Sequence, residues 1–466
     1  MGELVLAALS PHPPIIIPEV GGSETPKASR TVQGMKALAT AVADAAPDTV
    51  VVISPHGPVF ADAIAITGLP RISGDFSQFG ADVSLSFECD LDLARSVVHH
   101  AEAAEVSCVL LDERAMIRMR IPRKLDHGTL VPLSYIWEHC REFRLIPVAM
   151  GVGAPNELYS FGIALREAIE AGSGRVAVIA SGDLSHALAP GAPAGYSPRG
   201  AQFDSLVVEA LSSRDAAALA GLDDKLVASA GECGLRAIFM MLGAIDGLDV
   251  ISEVHSYEGP FGVGYAVATF RPSGQSEASR AGELNNALHL RADARRRSES
   301  AHAALARNAA EAYVVRRQVI DAPDPLPANM RGRAGVFCSI HKGRELRGCI
   351  GTTEPMQACI AEEIISNAIS AAVRDPRFEP VAQRELADLA YSVDVLSEPE
   401  DIDGPEELDP AKYGVIVRRG DRVGLLLPDL DGVDSVEQQV SIARRKAGIG
   451  PGEPLQYARF EVKRYE

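Results

Sequence analysis

Short apolar runs rich in β-branched residues alternate with alanine-rich stretches through the first 270 residues of the chain. The runs include LVLAAL (4–9), TVVVIS (49–54), VSCVLL (106–111), FRLIPVAMGVG (143–153), RVAVIAS (175–181) and FGVGYAVATF (261–270). Between them lie segments of helical character, such as TVQGMKALATAVADAA and YSFGIALREAIEAG. Continuous apolar runs fit strands covered on both faces. Their alternation with helices predicts an α/β domain whose central, mostly parallel sheet is flanked by helices.

The pattern breaks after Phe270. RPSGQSEASRAGELNN is polar and aperiodic, and 271–285 reads as a linker between a first domain, 1–270, and a second, 286–466. ADARRRSESAHAALARNAAEAYVVRRQVI then predicts one long helix or two. GVFCSI, YSVDVL, YGVIVRRGDRVGLLLP and RFEVKRY supply strand-like pieces around the helical MQACIAEEIISNAISAAVR, so a smaller α+β domain is expected. There is no tandem repeat and no low-complexity tract.

Composition narrows the function. At 47% hydrophobic and 23% charged residues the chain is globular throughout, and 466 residues are too many for one core. A net charge of −18 argues against nucleic acid or an anionic membrane as the main partner, since either needs a dominant basic surface. A small molecule or a protein is favoured, and a homo-oligomer is compatible with the composition. The seven cysteines show neither a CxxC pair nor a secreted framework, and no apolar run is long enough to span a bilayer. A cytoplasmic location is the expectation.

The candidate chemistry begins where apolar runs end. LVLAAL runs into Ser10-Pro11-His12-Pro13-Pro14, and TVVVIS into Pro55-His56-Gly57-Pro58. A histidine just past a strand stands in the crevice where open α/β sheets bind ligands, and flanking prolines stiffen the turn that aims it. Two such histidines are half of a metal site, and a carboxylate would complete a facial triad. Glu232, in GECG at the start of a helix with apolar Leu235, Ile238, Phe239, Leu242 and Ile245, offers that carboxylate; a first-turn glutamate favoured by the helix dipole is the other reading. SGDLSH brings Asp183 and His186, and LDHGTL brings His127 beside Asp126, as acid/base candidates.

SPHPP, SPHGP, LDHGTLVPL, SGDLSH and AGECGLRAIFMMLGA, in this order over residues 1–270, resemble the class III extradiol ring-cleavage dioxygenases of LigB type, to which the Memo family is related. The resemblance implies that His12, His56 and Glu232 bind iron(II), while His127 and His186 act on a catechol-type aromatic substrate that is cleaved with O2. Zinc also suits two histidines and a glutamate, so a zinc hydrolase is a further reading.

In the second domain, GRELRGCIGTTEP reads as a tight turn between Gly348 and Gly351 that presents Cys349 beside Arg347, a cation that would lower the thiol pKa; glycines that serve only the turn, with Cys349 packed as a small hydrophobe, are the other reading. With AVRDPRFEPV, VLSEPE, GLLLP and ARRKAGIG it makes residues 286–466 resemble the AMMECR family, which has no settled activity. The two domains joined resemble the AmmeMemoRadiSam proteins, and this implies a radical-SAM protein as a partner. Two functions are therefore expected to compete: an iron(II) extradiol dioxygenase, and a metal-binding accessory protein without ring cleavage.

Overall fold

The computed structural model describes every residue except Glu277, Arg344 and Asp431. Met1–Leu290 and Arg291–Glu466 form two compact units. Among the described residues ten strands lie in the first: β1 (Glu3–Ser10), β2 (Thr49–Ser54), β3 (Ile64–Thr67), β4 (Arg71–Asp75), β5 (Ser84–Glu88), β6 (Cys108–Leu111), β7 (Arg144–Ala149), β8 (Arg175–Ser181), β9 (Leu248–Glu258) and β10 (Tyr265–Gln275). Eight of them make one sheet in the order β6-β3-β7-β2-β8-β1-β10-β9, and β4 and β5 form a separate hairpin.

The centre of the sheet is parallel. β8 pairs with both β1 and β2, and β2 with β7, whereas β10 and β9 add an antiparallel edge. β1, β2 and β8 are buried along nearly their whole length because helices cover both faces, as their uninterrupted apolar sequences require. One core contains Leu9, Ile53 and Phe161, and the other Leu6, Val52 and Met35.

Register fixes the site. Leu9 and Ile53 both lie opposite Ala180, and Ser10 opposite Ser181, so β1, β2 and β8 end at one level. The residues that follow each strand are delivered to one crevice at the carboxyl edge of the sheet.

The stretch read as a linker is largely structured. Arg271–Gln275 extend β10 against β9, Ala281–Ser298 is a helix with Leu284 buried in the first core, and Glu277 lies outside the described residues. Polar composition marked this segment because an edge strand and a surface helix show most of their side chains to water.

In the second unit the strands are β11 (Val336–Lys342), β12 (Glu345–Thr352), β13 (Leu389–Leu396), β14 (Glu400–Ile402), β15 (Gly414–Arg419), β16 (Arg422–Leu426), β17 (Gln456–Phe460) and β18 (Val462–Tyr465). They form two antiparallel sheets, β12-β11-β13-β18 and β14-β17-β15-β16, with the helices Ala301–Arg316 and Ile360–Val373 packed on the first.

The tight turn expected around Cys349 is instead the strand β12, in which Cys349 lies opposite Ser339. Gly348 serves a close approach, since a Cβ there would stand 2.2 Å from the carbonyl oxygen of Ala371 in the neighbouring helix. Arg347 does not serve the thiol either. Its guanidinium forms a two-pronged pair with Glu385, at 3.0 Å on each prong. The side chains that hold the Cys349 backbone are Asp375, which accepts its N–H at 2.9 Å, and Arg377, which donates to its carbonyl at 3.1 Å.

Candidate metal centre

His12 follows β1 by two residues and is 2% exposed; His56 follows β2 by two residues and keeps part of its ring in solvent. Their Nε2 atoms stand 3.0 Å apart. His127 opens the helix His127–His139, capped by Asp126, and its ring centroid lies 4.2 Å from that of His56 and 5.6 Å from that of His12. Asp183 and His186 follow β8. Asp183 Oδ1 accepts the His12 backbone N–H at 2.9 Å, and its Oδ2 stands 3.9 Å from His12 Nε2.

Hydrogen bonding fixes the His12 tautomer. Ser181 Oγ, at the end of β8, lies 2.6 Å from the Gly128 carbonyl and 3.0 Å from His12 Nδ1. A hydroxyl has one proton and a carbonyl has none, so Ser181 donates to Gly128 and accepts from Nδ1–H. His12 Nε2 is thereby left as a lone pair directed into the cluster, the state a metal ligand requires. Gly128 is needed as well: a Cβ there would come within 2.5 Å of Ser54 Oγ and 3.3 Å of His56 Cδ2.

The structure holds Glu232, the expected third donor, in another role. Glu232 Oε2 accepts the Leu235 backbone N–H at 2.7 Å, the first-turn role, and Glu232 belongs to neither group of ligand atoms close enough to share an ion. One such group is His12, His56 and Cys233; the other is Asp183, His186 and Cys233, with the atoms of each within 4.8 Å of one another. Cys233 Sγ lies 3.7 Å from His12 Nε2, 3.6 Å from His186 Nε2 and 3.3 Å from the Asp183 N–H. An N–H that opens a helix attracts a carboxylate three residues before it, and this pulls Glu232 toward the backbone while the next side chain turns inward. Gly182 and Gly234 allow the two loops to meet, since a Cβ on Gly182 would stand 2.2 Å from the Gly234 Cα.

Burial governs the charge states. It lowers the His12 pKa well below the ordinary histidine value, helped by His56, His127 and His186. It also lowers His56 and His127, in both cases against the pull of Asp126, and lowers His186. All four imidazoles are therefore neutral near pH 7. Burial raises the Cys233 thiol, with Asp183 adding to the effect, and pushes Asp183 up to about 7 against the His12 N–H.

Asp183 thus carries a stability signature. Its folded pKa exceeds the ordinary 3.8, so its contribution is complete below about pH 4 and is lost as pH rises through about 7. In metal-free protein, Asp183→Asn should remove a loss of up to a few kcal/mol between pH 5 and 8. Thermal melts of both proteins across that range check this, and parallel pH profiles would count against it.

Two further features were not read from the sequence. Ser181 closes an apolar run, and its position at a strand end was its one signal. Asp204 is fully buried, accepts the Ser185 N–H and the Tyr257 hydroxyl at 2.7 Å each, and so pins the loop that carries Asp183 and His186. Nothing near it in sequence marks that role.

Beside His56 and His127 opens a cavity of about 480 Å³, walled by Ile72, Met116, Leu125 and Val148, with Arg120 and Lys124 also in its lining. No single helix among the described residues is long and apolar enough to cross a membrane.

Fold and site together define an α/β domain with a histidine-rich, metal-competent centre at the carboxyl ends of its parallel strands. Residues 6–268 match the family described as the catalytic LigB subunit of aromatic ring-opening dioxygenase, and residues 303–466 match AMMECR1. The chain therefore belongs to the LigB family, fused to an AMMECR1 domain. It is similar along its length to a protein of Clostridium acetobutylicum, 38% identical over 461 residues and covering 98% of each chain. A protein of Thermotoga maritima is 49% identical over 159 residues, 34% of this chain and 91% of that one. A crystal structure of an uncharacterised Pyrococcus horikoshii protein is 32% identical, with a TM-score of 0.33, over 35% of this chain and 88% of that one.

Proposed function

We propose that the N-terminal unit is an iron(II)-dependent extradiol dioxygenase acting on a catechol-type aromatic. The observation that supports it most is the pair of Nε2 atoms 3.0 Å apart, one held as a bare lone pair by Ser181, at the mouth of an apolar cavity. Two imidazoles with a thiolate or carboxylate fit a divalent transition metal of borderline softness, iron or zinc. His12 and His56 would hold it, with Cys233 as the third donor in this arrangement.

When bound, the metal would supply the electronic link between the diol and O2. The chain's own residues do the rest. His127, ring to ring with His56, and His186, across the cluster, are both neutral near pH 7 and so able to take a phenolic proton. Both oxygen atoms enter the product as the ring bond beside the diol breaks, and no external reductant is consumed.

One observation favours a second reading. Cys233, rather than a carboxylate, stands with the two histidines, which suits a metal-binding accessory protein working with a radical-SAM enzyme. Anaerobic loading with iron(II), followed by a panel of catechols under O2, separates the two. Oxygen uptake matched by a ring-opened, yellow product is expected. Stoichiometric iron without turnover on any diol would favour the accessory role.

A further inference from the structure

A second cavity, of about 580 Å³, opens at the amino ends of β2, β7 and β8, the edge of the sheet opposite the metal centre. Asp48 precedes β2, Arg144 opens β7, and Ser173 and Gly174 precede β8. The other walls are the β4–β5 hairpin and the chain that leaves the helix His127–His139. Ring cleavage makes no use of this space, whose size is that of a site for a ligand of several groups.

Local structure gives it an apolar wall. The helix ends at Cys140, whose extended backbone (φ −138°, ψ 122°) carries the chain across to β7. Of the residues on the way, Phe143 is buried and stacks on Phe87 with ring centroids 5.5 Å apart, while Arg141 and Glu142 are exposed. Trp137 stands edge-on to both rings, at 5.1 Å from Phe87 and 6.0 Å from Phe143, and is half-buried. An indole backed by two covered rings offers apolar surface to a ligand.

Three arginines and three carboxylates line the cavity, and most of them are matched. Arg71 pairs with Glu88 at 2.9 Å. Arg144 pairs at 2.8 Å with Asp90, a buried carboxylate that also accepts from the Thr49 hydroxyl and the Leu93 N–H. Asp48 accepts the Arg175 N–H at 2.7 Å. Arg141 and Glu142 are left. Arg141 is fixed through Nε on the Trp137 carbonyl at 3.2 Å, with its guanidinium carbon 6.0 Å from the indole centroid. Among the described residues it has no carboxylate partner and Glu142 has no cation, and the two, adjacent in sequence, do not pair with each other. A purely cationic ligand would meet three arginines here, and a purely anionic one three carboxylates. A cation and a carboxylate held apart beside an apolar ring complement a ligand with opposite charges at its two ends and an apolar body between, because a charge-assisted hydrogen bond forms at each end.

We propose that this cavity binds a short apolar peptide with free ends, its carboxylate received by Arg141, its ammonium by Glu142 and its side chains lying on Trp137. The proposal is independent of the dioxygenase reading.

The test uses full-length protein and the dipeptide leucyl-leucine, with its C-terminal amide and its N-acetyl form, each of which lacks one charge. Trp137 is the chain's single tryptophan, so its emission reports on this cavity alone, and calorimetry gives the affinity. Leucyl-leucine should bind about 10- to 100-fold more tightly than either blocked form, the range of a charge-assisted contact. Arg141→Ala should abolish the preference over the amide and keep that over the N-acetyl form, and Glu142→Gln should do the reverse. Glu138→Gln, on the same helix as Trp137 but outside the cavity, should leave both preferences intact, so a general effect of surface charge is separable. Equal affinity for free and blocked peptides in wild type, an equal loss in Glu138→Gln, free leucine binding as tightly as the dipeptide, or no saturation at millimolar peptide would each overturn the proposal.

Discussion

His186→Ala should keep nearly the wild-type metal content and lose ring cleavage by about 10²- to 10⁴-fold, the usual contribution of a positioned acid or base. The expectation follows from its placement. The His186 backbone is fixed by its N–H on the Ala230 carbonyl at 2.8 Å, and its ring reaches Cys233 at 3.6 Å without joining the His12 and His56 group. His12→Ala should lose metal and activity together, because it removes an Nε2 whose lone pair the fold holds in place. Ser181→Ala should fall between them, with metal affinity lower by about 10- to 100-fold, since it frees the His12 ring to adopt the other tautomer. Elemental analysis and oxygen-electrode rates on the three variants check the order. Equal metal loss in His186→Ala and His12→Ala would make His186 a ligand through the second group, with Asp183 and Cys233.

The parts of this centre that were readable in the sequence share one physical property: they lie where an apolar run stops. β1, β2 and β8 are buried on both faces, so their sequences are uninterrupted hydrophobic segments, and the polar residues just beyond them are forced to the edge of the sheet. That logic brings out His12, His56, Asp183 and His186. It fails for β9, whose residues alternate between half-buried and exposed at the sheet's edge, and for the β4–β5 hairpin.

It fails again wherever the deciding partner is distant. Asp204 holds the Asp183 loop from the helix Pro198–Ser213, and Tyr257 reaches it from β9. In the second unit, the glycines around Cys349 signalled a turn because sequence cannot distinguish a glycine needed for backbone freedom from one needed to admit a neighbouring helix.

The choice between Glu232 and Cys233 lies at the same limit, and proton counting decides it. Both residues stand at the entry to the helix Leu235–Ala244, but only the side chain that is not capping the helix is available to an ion. A carboxylate is already ionised at neutral pH and binds metal without releasing a proton. The Cys233 thiol, raised by burial and by Asp183, is protonated there and must lose its proton to become a ligand. The histidines add nothing to the count, since burial keeps them neutral. Asp183, pushed up to about 7, is mostly ionised above pH 8 and drops out as well. Between pH 8 and 8.5, metal binding through Cys233 should therefore release about one proton, and affinity should rise about tenfold per pH unit. Calorimetry in buffers of different ionisation enthalpy measures the proton directly. Cys233→Ser should abolish the release and weaken binding by orders of magnitude. Glu232→Gln should leave both unchanged and cost only about 0.5–2 kcal/mol of stability from the weakened cap. Metal uptake without proton release, lost in Glu232→Gln, would instead show the carboxylate leaving Leu235 to complete the triad.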